Sequence, residues 1–173
     1  GAFAEYAMVP ERHCFNVGSI AKHEGCEQTA LQVASLVEPL GCAHNGIYVV
    51  GPGIKPGSHV AVFGCGPIGL GAIALAQASG AATISAFDQT DGRAKLAKQL
   101  GATHSYNSAS ISNAEQIHLI QEVTNGWGAD VVIEAAGAAL NTMPVIEAAL
   151  APGATVVYLG RTGEKAPVNL DVL

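Results

Sequence analysis

The chain has 173 residues, enough for one domain around a single core. Charged residues are 13% of it, about half the usual share, hydrophobic residues are 49%, and the net charge is −6. With no run of Lys or Arg, nucleic acid and anionic membranes are excluded as expected partners. So low a charge density implies either an unusually apolar surface or one that is in part normally covered by something outside this chain. No uninterrupted apolar stretch reaches the length of about 18 residues that a transmembrane helix needs, and GAFAEYAMVP lacks the basic start of a signal peptide. Cys14, Cys26, Cys42 and Cys65 form no C-x-x-C pair, which fits free thiols in a reducing, cytoplasmic setting.

In chain order, Phe3, Tyr6 and Val9 predict one edge strand, and 27–36 and 38–50 read as helices ended by Gly51-Pro52-Gly53. From residue 60 the pattern alternates. Strands are predicted at 60–63, 83–87, 104–106, 131–135 and 155–159. Between them lie helices at 67–79, from an Asp91 cap to 100, and from an Asn113 cap to about 125. A last helix is expected to carry Pro144 in its first turn and to run to 150. Continuous apolar strands point to a parallel sheet covered on both faces. Right-handed crossovers then give a doubly wound α/β fold with strand order 3-2-1-4-5. The tail KAPVNLDVL stops where a sixth strand is expected, so the sequence reads as the middle of a larger protein.

The stretch HVAVFGCGPIGLGAIALAQASGAATISAFD carries most of the chemistry. A short apolar strand enters Gly64-x-Gly66-x-x-Gly69, a helix follows, and a second strand ends in Asp88, 19 residues after Gly69. Gly64 permits a tight turn, Gly66 lets backbone approach a pyrophosphate, and Gly69 permits close packing of helix on strand. The helix N-terminus offers N–H groups and a positive dipole end to phosphates. The motif is weak alone, but strand, helix and acid supply the context of a dinucleotide-binding Rossmann fold.

Several segments together resemble the zinc-dependent medium-chain dehydrogenases, in their alcohol, polyol and threonine dehydrogenase branch. GAFAEYAMVP is similar to that family's G-x-(F/Y)-A-E-Y strand, and SLVEPLGCAHNGI to its A-L-x-E-P-L segment. IKPGSHVAVFGCGPIGLGAIALAQASGA resembles its nucleotide loop, and LAKQLGATHSYN, GADVVIEAAG and APGATVVYLG resemble later helix and strand signatures. The resemblance implies residues 1–37 as a remnant of a GroES-like catalytic domain with its connecting helix, and 38–173 as the NAD-binding domain. It implies NAD as cofactor, a small alcohol or ketone as substrate, and a homo-oligomer for the complete enzyme.

Carried over position by position, Gly64, Gly66, Pro67 and Gly69 would form the pyrophosphate loop, and Ile68 would pack beside the nicotinamide. Asp88 would accept the adenosine ribose hydroxyls and repel a 2′-phosphate, favouring NAD over NADP. Arg93 matches a basic position near the adenosine, which keeps NADP in consideration. Gly137 and the turn Leu159-Gly160-Arg161 would lie along the cofactor at the strand ends. Glu38 is the single catalytic candidate: the matching Glu binds the catalytic zinc or holds its water. Read without the resemblance, Glu38 is an N-cap before Pro39.

The family's other zinc ligands, a Cys and a G-H-E motif, are absent, as is its four-Cys zinc loop. The chain alone is therefore expected to bind cofactor without turning over an alcohol. Cys42 reads either as a pocket residue or as a small hydrophobe, and Cys65 either as a thiol activated at a helix start or as a small side chain that fits. His44 reads as helix-surface, Glu134 as a carboxylate satisfied by backbone N–H groups, Asp130 as a turn residue and Trp127 as a loop anchor. The alternatives to a zinc dehydrogenase are a zinc-free quinone or enoyl reductase and a non-catalytic NAD-binding module.

Overall fold

The computed structural model describes residues 4–161, 163 and 165–169. The chain divides into two compact units, 1–38 and 39–173. In the first, residues 6–10 have no regular structure, and a short 3-10 turn follows at Glu11–His13. Helices α1 (Gly18–Glu24) and α2 (Glu27–Ser35) pack on each other, and Gly25 closes α1 in the left-handed conformation at φ 68°. The strand expected around Tyr6 and Val9 does not form; Phe3 lies outside the described residues. A strand persists only by pairing, and every described strand belongs to one sheet that lacks this segment.

Helix α3 (Val37–His44) crosses the unit boundary and passes into a π-helical turn at Asn45–Val50, where one continuous α-helix was expected. Gly46 lies in this turn. A Cβ there would come 2.6 Å from Leu159 Cδ2, so the turn is seated tightly over the end of the last strand.

The second unit then follows the alternating plan. Its elements are β1 (His59–Phe63), α4 (Pro67–Ala78), β2 (Thr83–Asp88), α5 (Asp91–Gln99), β3 (His104–Asn107) and α6 (Asn113–Val123). β4 (Ala129–Glu134), α7 (Ala139–Ala149) and β5 (Leu150–Tyr158) complete it. All pairings are parallel, in the order β3-β2-β1-β4-β5. Successive side chains of a strand point to opposite faces. Val60, Val62, Ile84 and Ile133 therefore enter one core with Ala72, Ile73 and Ala76 of α4. Ala61, Phe63, Phe87 and Val132 enter the other with Ile120 of α6 and Val145 and Ile146 of α7. Register aligns Phe63, Phe87 and Tyr106 across three strands, with ring centroids 5.0 and 5.2 Å apart. Residues 165–169 carry no regular structure, and 170–173 lie outside the described residues.

Three helix starts differ from expectation. Thr90, not Asp91, precedes α5, and its hydroxyl is turned back to Asp88 rather than capping the helix. Ser112, not Asn113, caps α6 and accepts from Glu115 N at 3.2 Å, an S-x-x-E arrangement. α7 begins at Ala139, which leaves Pro144 inside it. Proline there deletes one backbone hydrogen bond, yet Met143, Val145, Ile146 and Ala149 are all buried, and that packing carries the helix. No helix among the described residues is long and apolar enough to cross a membrane.

Asp130 is also misread as a turn residue. It lies in β4, where Oδ2 accepts the His59 backbone N–H at 2.7 Å and Oδ1 accepts Trp127 Nε1 at 3.2 Å. This carboxylate ties the start of β1 to β4 and anchors the Trp127 loop. Asp130→Ala is expected to lose about 1–3 kcal/mol, because it orphans the His59 N–H. Urea unfolding followed by Trp127 fluorescence measures this, and Asp130→Asn should retain more than half of the stability lost by the alanine variant.

Candidate functional site

A cleft of about 470 Å³ opens at the carboxyl edge of the sheet, within the second unit. The turns after β1, β2, β3 and β4 all contribute to it, through Gly64 and Gly66, Thr90, Ser108 and Ala136 respectively. A doubly wound sheet places ligands here, where the chain leaves the sheet in opposite directions from neighbouring strands.

The three loop glycines meet different constraints. Gly64 has φ +91°, and a Cβ there would lie 2.6 Å from Ala136 N. Its own N–H donates to Phe87 O at 2.8 Å, so the turn is fastened to β2 while it abuts the β4–α7 turn. A Cβ on Gly69 would lie 1.8 Å from the Gly64 carbonyl oxygen, which lets α4 start directly on the turn. Gly66 is different: a Cβ there would meet nothing within 4 Å. Internal packing does not require glycine at 66, yet 66 lines the cleft. A side chain would fill a cradle that the backbone leaves open. Gly66 is also the N-cap of α4, with no side chain capping it, and Pro67 occupies the first turn. The positive end of α4 is thus presented bare beside the cleft.

Asp88 ends β2 and is 6% exposed. Its Oδ2 accepts Cys65 N at 2.9 Å, and its Oδ1 accepts Thr90 N and Thr90 Oγ1, each at 3.0 Å. An ionised carboxylate has about four lone-pair sites, so three are used within the protein and one remains for the cleft. Arg93 Nη1 stands 3.8 Å from Oδ2 with its side chain 60% exposed, a weak, solvent-screened pairing. Thr90 was not anticipated as part of this site. Its signal is the D-x-T spacing, which lets a threonine fold back on the acid two residues earlier.

Cys65 resolves in favour of a small side chain that fits. Its thiol donates to Phe87 O at 3.8 Å. Burial pushes its pKa up to about 12, the negative charge of Asp88 adds to this, and Arg93 opposes it. The helix begins two residues later, at Pro67, so no helix-start activation reaches the sulfur. Exposed Cys26 goes the other way, lowered by hydrogen bonds from Thr29 and the Gln28 backbone.

Glu134 is wholly buried at the end of β4. Backbone N–H groups of Gly137 and Ala138 donate to its carboxylate at 3.3 Å, and Thr142 Oγ1 donates at 3.2 Å. It therefore shapes the β4–α7 turn that walls the cleft, as a carboxylate satisfied by backbone donors. Gly137 (φ +66°) and Gly160 are pressed together here: a Cβ on Gly160 would lie 2.2 Å from Gly137 N.

Of the residues singled out in the sequence, the cleft brings together Gly64, Gly66, Asp88 and Arg93. Gly69 supports the turn from behind. Ile68 and Leu159 pack partly buried against the core on the α4 side of the sheet. Gly137, Gly160 and exposed Arg161 lie at the ends of β4 and β5 and do not line the cleft. Glu38 is exposed in the first turn of α3, inside the helix rather than at its cap. His44 is exposed, with its ring centroid 5.3 Å from that of Tyr48, and Cys42 is half-buried. Among the described residues, no three His, Cys, Asp or Glu side chains converge as a metal site. Zinc therefore does not fit a site made of these residues alone, and no step is assigned to it.

The family model described as zinc-binding dehydrogenase matches residues 67–173. The chain belongs to the zinc-binding dehydrogenase family. It is 35% identical to the scyllo-inosose 3-dehydrogenase of Thermotoga maritima, over 99% of this chain and 44% of that protein. It is 37% identical to the L-threonine 3-dehydrogenase of Caldanaerobacter subterraneus subsp. tengcongensis, over 98% of this chain and 45% of that protein. Among solved structures, a protein of Sinorhizobium meliloti 1021 assigned as a zinc-binding dehydrogenase and bound to NADP superposes with a TM-score of 0.67 at 34% identity. That match covers 78% of this chain and 39% of the other. The chain thus spans a little under half the length of its curated relatives. The fold expected from sequence, a Rossmann-type sheet of this family, is the fold found.

Two measurements check the local physics of the cleft. Gly69→Ala gains about 1 kcal/mol of helix propensity but must push against backbone, so a net loss of about 2–3 kcal/mol is expected by urea unfolding. Gly66→Ala should stay within about 1 kcal/mol of wild type, the scale of an N-cap change. For Cys65, the folded chain keeps a proton that the unfolded chain releases above its ordinary value of 9.0, so this thiol lowers stability as pH rises from 9.0 towards about 12. At pH 8 a disulfide reagent should therefore modify Cys26 quickly and Cys65 only after denaturation.

Proposed function

We propose that residues 39–173 are the NAD(H)-binding part of a zinc-dependent dehydrogenase that moves hydride between a secondary alcohol and NAD. A polyol, cyclic polyol or amino alcohol is the substrate class, in keeping with the named activities of the inosose and threonine dehydrogenases above. The observation that carries the reading is Gly66, a loop glycine demanded by no internal contact, open to the cleft between a bare helix N-terminus and buried Asp88.

In this reading the pyrophosphate lies against Gly64 and Gly66 and the start of α4, where N–H groups and the helix dipole favour negative charge. Asp88 is preorganised by Cys65 N and Thr90, and its remaining lone pair accepts a ribose hydroxyl. Its charge disfavours a 2′-phosphate, and Arg93, beside Asp88, partly offsets that charge without removing it. NAD supplies a hydride acceptor at its nicotinamide ring. Ile68, Gly137 and the turn Leu159-Gly160-Arg161 are assigned to the nicotinamide side of the same sheet edge. Glu38 is assigned as this chain's contribution to the metal of the complete enzyme, the one catalytic residue it would hold. The complete enzyme is assigned as a cytoplasmic homo-oligomer.

Calorimetric titration of the 173-residue chain tests the reading. NADH should bind at micromolar strength or weaker, and NADPH about tenfold more weakly still, the cost of one uncompensated charge contact. Gly66→Ala should weaken NADH without unfolding the chain. Asp88→Asn should narrow the gap between the two dinucleotides, since it removes the repelling charge and keeps an acceptor for Cys65 N. Absence of binding by either dinucleotide would defeat the proposal. Tighter binding of NADPH would favour the zinc-free reductase instead.

A further inference from the structure

One buried polar side chain at the cleft has no hydrogen-bonding partner for its carboxamide among the described residues. Gln116 lies on α6, four residues before buried Ile120, and is itself only 7% exposed. Buried polar groups are as a rule hydrogen-bonded, and an unpaired amide is costly. The Gln116 backbone N–H bonds to Ser112 O, but no group among the described residues pairs with its carboxamide. Nor is that carboxamide sealed away, because Ser85 Oγ is the one fully enclosed side-chain polar atom without a partner among the described residues. The small exposed part of Gln116 opens on the cleft, which it lines together with Phe63, Phe87 and Thr142. The aromatic rings of Phe63 and Phe87 form an apolar, stacked floor, and the carboxamide is the polar group set into this end.

The position along the sheet edge decides what would reach it. The glycine turn follows β1, Asp88 ends β2, and α6 follows β3, the outermost strand on that side. A dinucleotide with its pyrophosphate at the glycine turn and a ribose at Asp88 would carry its base into the remaining part of the cleft, which Gln116 lines. A carboxamide offers an acceptor oxygen and a donor NH2 side by side. That pair matches the 6-amino group of adenine and the ring nitrogen next to it, which present a donor and an acceptor at the same spacing.

We propose that Gln116 reads the nucleobase of the bound dinucleotide and selects adenine through this two-point hydrogen bond. The proposal rests on the dinucleotide reading given above. Gln116 is then a specificity residue for the cofactor, remote from the nicotinamide and from hydride transfer.

The test compares NAD with its ethenoadenine analogue, in which a two-carbon bridge joins the 6-amino nitrogen to the adjacent ring nitrogen. The bridge removes the amino donor, so the carboxamide oxygen has no partner in either orientation of the amide. Calorimetry on the wild-type chain should find NAD bound about tenfold more tightly than the analogue, the scale of one lost two-point contact. In Gln116→Leu and Gln116→Met that preference should collapse to near one, mainly through weaker binding of NAD. The two replacements differ in shape, and the ratio is read in whichever retains the wild-type melting temperature; a ratio cancels any general loss of binding. An unchanged preference in a folded variant would overturn the role of Gln116. Failure of the wild-type chain to bind either dinucleotide would instead overturn the underlying functional reading.

Discussion

The cleft depends on one close backbone approach, the seating of the first turn of α4 on the Gly64 carbonyl. The hypothetical Cβ distance of 1.8 Å at Gly69 means that no other residue could let helix and turn meet there. Gly64 must in turn hold φ +91° while it abuts Ala136 across the gap between β1 and β4. Loosening either contact would swing the helix N-terminus away from the sheet edge, and with it the positive pole that faces the cleft. The geometry that suits a phosphate is therefore a by-product of how α4 packs. It requires no cationic side chain in the loop, which helps explain how so weakly charged a chain can still present an anion site.

Two buried carboxylates hold the strand ends on either side of this turn. Asp88 fastens the Cys65 amide and the start of α5 to β2, and Glu134 gathers the Gly137 and Ala138 amides and Thr142 at the end of β4. Charge-assisted bonds to backbone donors are the usual way for a carboxylate to tolerate burial. They also make the turns rigid, because each loop is tied to an anion whose alternative is to be left unpaired. The two acids differ in one respect. Glu134 is wholly enclosed, with its bonds directed to its own turn, whereas Asp88 opens on the cleft with a lone pair to spare. Position on the sheet edge alone does not distinguish them; accessibility does.

Much of this was legible from residue pattern because the second unit obeys one repeated rule. Apolar runs such as 60–63 and 131–133 are buried on both faces, so they had to be inner strands of a parallel sheet, and the strand order followed from handedness. Glycine spacing located the turn, and Asp88 was recognisable by its distance from it. Illegible features were those decided by partners remote in sequence. Pro144 suggested a helix start, but burial of Met143 and Val145 on either side of it outweighs the lost backbone bond. Asp130 in Gly-Ala-Asp had the local look of a turn, and only the His59 amide, 71 residues away, gives it a place within β4. Cys65 read either as a thiol poised by a helix start or as a small side chain that fits, and its burial beside Asp88 and the Phe87 carbonyl decides for the second. The segment carrying Tyr6 and Val9 matched a familiar strand pattern, but among the described residues no strand pairs with it.

The cleft is defined most sharply by what the fold leaves unused. Natural cores satisfy their polar groups and fill their space, since an orphaned amide or a void lowers stability with no return. Most notable positions here conform: Gly64 and Gly69 are glycine because backbone crowds them, and Glu134 is charged because backbone donors surround it. Gly66 and Gln116 do not. One leaves out a side chain where there is room for it, and the other places an unpaired carboxamide where little water reaches. Both lie on the same cleft, Gly66 at the glycine turn and Gln116 on α6. Two unrelated departures from self-sufficiency that face one cavity share an economical cause: a ligand that needs space at the glycine turn and a hydrogen-bonding partner beyond Asp88. A mononucleotide phosphate would account for the first and not the second; a ligand extending from pyrophosphate through ribose to base accounts for both.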